Sequence, residues 1–76
     1  MTEREHINLY KKQIEIFLRI SGIYISDQKQ EYTPEQSEEN RKFIKEIALR
    51  MWSGNVNEEI LDKAIDELLP YLIERK

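Results

Sequence analysis

The sequence predicts an all-α fold, a small antiparallel three-helix bundle, on the basis of three observations. Apolar residues recur at helical spacing in three segments, which places helices at about residues 3–24, 34–52 and 58–74. Residue types typical of helix starts precede each segment, and turn-forming residues separate the segments. The chain has 76 residues and no cysteine, so we expect a single domain, residues 1–76, without a disulfide.

The first helix is predicted to carry two apolar stripes. It begins with the spacing of a capping box, Thr2 followed by Glu5. On a helical wheel the first stripe contains Ile7, Tyr10, Ile14, Phe17, Leu18 and Tyr24, and the second contains Leu9, Ile16, Ile20 and Ile23. Together the stripes cover more than half of the circumference, so we expect neighbours on two sides of this helix. The residues that a second copy of the chain would cover are Leu9, Ile16 and Ile20.

The connection after the first helix is ambiguous, whereas the second helix has a clear start. Ser21 and Gly22 are poor helix-interior residues, so residues 23–25 either continue the helix or pack as an extended lid over the core. Thr33 is the expected N-cap of the second helix, with a proline at its first position. The first two turns are polar, and the predicted core stripe is Phe43, Ile44, Ile47, Ala48 and Met51.

The third helix follows a short turn. Gly54 suits the left-handed conformation after a helix end, and Asn57 suits the N-cap of the next helix. The apolar stripe of the third helix contains Ile60, Leu61, Ala64, Ile65, Leu68, Leu69, Tyr71 and Leu72. Pro70 removes a backbone donor, so a kink or the end of the regular helix is expected near it.

Composition and charge disfavour several classes of function. Twelve Lys and Arg against fifteen Asp and Glu give a net charge of -3, and the start of the third helix is acidic, which opposes binding of nucleic acid. No stretch is apolar enough for a membrane span or a secretory signal, so a cytoplasmic location is expected. The single histidine, His6, the absence of cysteine and the absence of a glycine-rich loop predict no enzyme, metal site, cofactor or small-molecule substrate.

One cluster of residues near the end of the second helix has the composition of a protein-binding surface. Leu49 and Trp52 lie three residues apart on one edge, with Lys45 and Arg50 beside them. An aromatic and an aliphatic residue flanked by positive charge are typical of interaction hot spots. The alternative is that Trp52 covers the core at the helix end.

These observations favour a small non-enzymatic protein-binding module. By analogy of size and class alone, such a module could be a regulator or inhibitor of a partner protein, of the immunity-protein or antitoxin kind. The alternative is a homodimeric structural protein that associates with itself and has no separate ligand.

Overall fold

The computed structural model describes residues 1–73, and it contains three α-helices that pack against one another. Helix α1 spans Glu3–Ile20, α2 spans Pro34–Met51 and α3 spans Glu58–Leu68. A 3₁₀ turn, Leu69–Tyr71, follows α3. Two short strands, β1 (Tyr24–Ile25) and β2 (Leu72–Ile73), pair antiparallel. The predicted three-helix bundle is therefore confirmed, with a minimal two-stranded ladder beside it.

Capping contacts confirm the predicted helix starts. The Thr2 hydroxyl accepts a hydrogen bond from the N–H of Glu5 at 3.2 Å, and the Glu5 carboxylate accepts one from the N–H of Thr2 at 3.2 Å. Thr33 and Gln36 form the same reciprocal pair at the start of α2. The Asn57 side chain accepts hydrogen bonds from two backbone N–H groups in the first turn of α3. Each contact satisfies N–H groups that a helix start otherwise leaves unpaired.

Helix α1 ends at Ile20 rather than at the predicted residue 24. The N–H of Ile23 donates to the carbonyl of Leu18 at 2.8 Å, and the N–H of Gly22 donates to a carbonyl of the last turn at 3.0 Å. Gly22 has a φ of 82°, and these bonds together form a Schellman motif. This motif reverses the backbone and turns Ile23 into the core, which explains why the helical prediction overran.

Helices α2 and α3 run antiparallel. Arg41 pairs with Asp66, and Lys45, one turn later on α2, pairs with Asp62, one turn earlier on α3, at 3.0 Å. Residues later in α2 therefore pair with residues earlier in α3, as expected for antiparallel neighbours.

The N-terminal half of α1 contacts both ends of α3. The Tyr10 hydroxyl accepts a hydrogen bond from the N–H of Asn57, just before α3. Arg4 and Lys11 pair with Glu67, near the end of α3, at 2.7 and 3.2 Å. Helix α3 therefore lies across the first half of α1.

All three helices, Ile23, the 3₁₀ turn and β2 contribute buried residues to the hydrophobic core, and Ile25 of β1 packs against it. Its buried members are Ile7, Ile14, Phe17, Leu18, Ile23, Ile44, Ala48, Ile60, Leu61, Ala64, Ile65, Leu68, Leu69 and Leu72. Five residues of the predicted stripes are exposed instead: Leu9, Ile16 and Ile20 of the second stripe of α1, which no other helix covers, and Tyr24 and Phe43. Tyr24 lies beyond the end of α1, in β1, so its helical position on the wheel does not apply. Phe43 points about 100° away from its neighbour Ile44, which takes the core position.

The end of the third predicted helix also differs. The α-helix stops at Leu68, the 3₁₀ turn carries Pro70, and Leu72–Ile73 is extended; residue 74 lies outside the described residues. The change of direction brings this segment against the first connection. There the N–H of Gln30 donates to the carbonyl of Pro70 at 2.6 Å, and the Tyr32 hydroxyl donates to the carbonyl of Leu72.

Candidate functional site

The main exposed apolar surface on α1 is formed by Leu9, Ile16 and Ile20, here named the α1 outer face. Their side chains are 51%, 46% and 69% exposed. The three residues fall within about 40° of one another on the helical wheel, on the side opposite the buried residues of α1. The residues predicted for self-association thus share one accessible face.

Polar and charged residues border the α1 outer face. Glu5, Lys12 and Arg19 follow one edge at intervals of seven residues, and all three are exposed. Within residues 1–73, Lys12 and Arg19 form no ion pair, and Glu5 bonds only to Thr2 in the capping box. The edge therefore retains charges that a partner could engage.

The opposite edge of the outer face carries His6 and Gln13 and no Asp, Glu, Lys or Arg. Gln13 is half-buried there and lines a shallow depression with Phe17, Met51 and Trp52. Charge on this helix face is thus concentrated on one edge.

Ion pairs between helices concentrate on α3, away from this face. In the part of the chain that the structure describes, every ion pair joining two helices includes a residue of α3. The strongest electrostatic effect is at Glu67, where hydrogen bonds from Arg4 and then Lys11 outweigh desolvation and lower the pKa from 4.5 to about 2. The hydrogen bond to Glu67 also raises the pKa of Arg4. These charges are paired within the bundle, so few of them are available to pair with charges of a partner.

The predicted partner-binding residues near the end of α2 do not form one accessible surface. Trp52 is half-buried against α1, with ring centroids 4.6 Å from Tyr10 and 5.7 Å from Phe17. Its ring packs against the core cluster, in the position that the core-covering interpretation requires. Leu49 is 41% exposed and remains accessible.

The two basic residues of that predicted set have different surroundings. The Lys45 ammonium lies 3.0 Å from Asp62 and 3.4 Å from Glu58, and the hydrogen bond to Asp62 is the main cause of its raised pKa. Arg50 is exposed and points about 140° away from Lys45 on the wheel. The structure therefore leaves Leu49 and Arg50 accessible, while Trp52 and Lys45 are engaged within the bundle.

Phe43 is an exposed apolar residue, although the apolar stripe of α2 predicts it in the core. Its side chain is 49% exposed on α2. On a wheel centred on Ile44 and Ala48, the two buried residues of α2, Phe43 lies about 120° from the centre, outside the buried arc. Phe43 directly follows the two polar turns at the start of α2, and this placement alone did not indicate that its side chain is exposed.

Within residues 1–73, no three His, Cys, Asp or Glu side chains form a group that could hold a metal ion. Over the same residues, none of the helices has the length and apolar character needed to cross a membrane. No family model, curated protein or solved structure significantly matches this chain.

Proposed function

We propose that this chain is a small non-enzymatic protein-binding module that binds through the α1 outer face. The observation that carries the proposal is the exposure of Leu9, Ile16 and Ile20 along one side of α1. Solvent contact at three large aliphatic side chains is unfavourable. Because each is already about one-third to one-half buried, its further burial by a partner contributes roughly 0.7–2 kcal/mol before the costs of association. A helix face of this kind fits an apolar groove or a second helix.

The surface around Leu49 is the weaker candidate for the same function. Its two other apolar or basic anchors, Trp52 and Lys45, already have partners within the bundle. Leu49 and Arg50 alone provide a smaller apolar area than the α1 outer face. We also propose that the module regulates or inhibits the protein it binds, by covering part of that protein's surface.

A capture experiment with matched variants tests the proposal. The full chain, the double variant Ile16→Lys, Ile20→Lys and the control Leu49→Lys are each tagged and used to recover proteins from the source cell. We expect a protein that binds the full chain and the control but not the double variant, because two charges on the α1 outer face prevent apolar burial. Circular dichroism of each variant checks that the bundle remains folded.

The same experiment identifies the competing surface. Loss of the bound protein with Leu49→Lys and retention with the double variant would assign binding to the end of α2 and exclude the α1 outer face. If all three proteins recover the same set, the captured proteins do not depend on either surface, and the proposal is wrong.

A further inference from the structure

We propose that the α1 outer face pairs with the same face of a second copy of this chain, with the two α1 helices antiparallel about a two-fold axis beside Lys12. The inference rests on the proposed function and names the partner of the same face. It follows from the arrangement of apolar and charged residues along α1.

Two apolar residues of the α1 outer face, Leu9 and Ile16, are placed to meet in this arrangement. In an antiparallel pair, a residue before the axis faces a residue at a similar distance after it. Leu9 lies three residues before Lys12 and Ile16 lies four residues after it. Leu9 of each copy therefore packs against Ile16 of the other, which gives two symmetric apolar contacts. Each α1 packs its other face on its own bundle, so the outer faces are free to approach.

Charges along the edge of the face complement one another only in the antiparallel arrangement. Glu5 lies seven residues before Lys12 and Arg19 lies seven residues after it, so Glu5 of one copy faces Arg19 of the other, twice. A parallel pair would instead place this edge against the opposite edge, which carries His6 and Gln13. The hydrogen bonds of Glu5 to Thr2 use Oε1, and Oε2 is available for the Arg19 guanidinium.

One contact opposes association. The axis brings the Lys12 ammonium groups of the two copies near each other, where like charges repel. Both side chains are exposed and flexible, so salt screens this repulsion. The dimer is accordingly weaker than its apolar contacts alone would make it.

Disulfide trapping tests the arrangement directly, because the chain contains no cysteine and each variant adds a single thiol. Leu9→Cys and Ile16→Cys are prepared with tags of different size, mixed and mildly oxidised. We expect several-fold more mixed disulfide between these two variants than either forms with itself. In the antiparallel pair, identical positions lie about seven residues, roughly 10 Å, apart along the axis, which exceeds disulfide reach. Leu49→Cys, similarly exposed on α2, is the control for random collision.

Each outcome decides the inference. Efficient self-linking of Leu9→Cys and of Ile16→Cys would indicate a parallel pair and overturn the antiparallel arrangement. Cross-linking no greater than in the Leu49→Cys control, together with sedimentation of the unmodified chain as a monomer at all concentrations, would exclude self-pairing. In that case a different captured protein that is lost with Ile16→Lys, Ile20→Lys would preserve the proposed function. If the chain neither pairs with itself nor captures a protein through the α1 outer face, both the proposed function and this inference are wrong.

Discussion

Trp52 lies against Tyr10, with ring centroids 4.6 Å apart, at the point where the Tyr10 hydroxyl accepts a hydrogen bond from the N–H of Asn57 at 3.0 Å. Trp52 is the C-cap of α2 and Asn57 is the N-cap of α3. One side chain of α1 therefore contacts both ends of the turn between the other two helices. This relation ties the position of α1 to the geometry of that turn.

Replacement of Trp52 by alanine is expected to cost about 3–5 kcal/mol of the free energy of unfolding, because it removes a large ring packed on Tyr10 and Phe17. A domain this small has only a few kcal/mol of stability to lose. Urea unfolding followed by circular dichroism measures the change. Leu49→Ala, three residues earlier on α2, is the matched control and should cost about 1 kcal/mol or less, since Leu49 is 41% exposed. Equal losses would place Leu49 in the core.

Tyr10→Phe separates the hydrogen bond from the ring contact. The phenylalanine ring keeps the packing against Trp52 but cannot accept a hydrogen bond from the Asn57 N–H. We expect a loss of about 0.5–1.5 kcal/mol, because Asn57 is exposed and water can replace the hydroxyl. Hydrogen exchange of the Asn57 amide should accelerate more than that of amides in the middle of α2. Unchanged exchange at this amide would show that the hydroxyl does not hold it.

Gly22→Ala is expected to destabilise the bundle by about 1–2 kcal/mol, since an L-residue is unfavourable at a φ of 82°. Thermal unfolding measures the shift. Gly54→Ala is a useful comparison, because Gly54 has a φ of 86° and open space where a Cβ would lie. Its cost is therefore purely conformational. A larger loss at Gly22 would mean that the added Cβ also disturbs the turn that brings Ile23 into the core.

Acid should weaken the bundle partly through Glu67. Because its pKa falls from 4.5 to about 2 on folding, its stabilising contribution is complete above the unfolded value and is lost as pH falls between these two values. The side chain is about one-third exposed, so we expect no more than about 1 kcal/mol from it. Glu67→Gln should flatten the pH dependence of urea unfolding in this acidic window. An unchanged slope would mean that Arg4 and Lys11 do not hold the carboxylate in solution.

Lys12→Ala should strengthen self-association, because it removes the repulsion between equivalent ammonium groups beside the proposed axis. Sedimentation equilibrium should show a lower dissociation constant than for the unmodified chain. Lys42→Ala, an exposed lysine on α2, provides the control for a general change in net charge. The same gain from both variants would indicate a non-specific charge effect, and weaker association of Lys12→Ala would place Lys12 in a favourable contact.

Helix starts were predictable from the sequence because they depend on local contacts. Thr2, Thr33 and Asn57 each bond to N–H groups within three residues, and such spacing is visible in a single chain. Helix ends were less predictable. The end at Ile20 depends on a glycine and on burial of Ile23, and the strands Tyr24–Ile25 and Leu72–Ile73 pair across most of the sequence.

Some features of the candidate site could be predicted from the sequence, whereas others depend on how the helices pack. The spacing of Leu9, Ile16 and Ile20 indicated one helical stripe, and the structure places that stripe on the surface; its role in association remains a prediction. The surroundings of Lys45 could not be inferred, because Asp62 and Glu58 come from α3 and approach only after folding. Phe43 required knowledge of which side of α2 the other helices cover.

The bonds between residues 24–32 and residues 70–73 also constrain the order of folding during synthesis. The N–H groups of Ser26 and Gln30 donate to the carbonyls of Tyr71 and Pro70, which the ribosome adds forty or more residues later. On an elongating chain, α1 and α2 can form their own backbone bonds while the connection between them still lacks these acceptors. The connection therefore lacks these bonds, and stays accessible to chaperones and proteases, until residues 70–73 have left the ribosome.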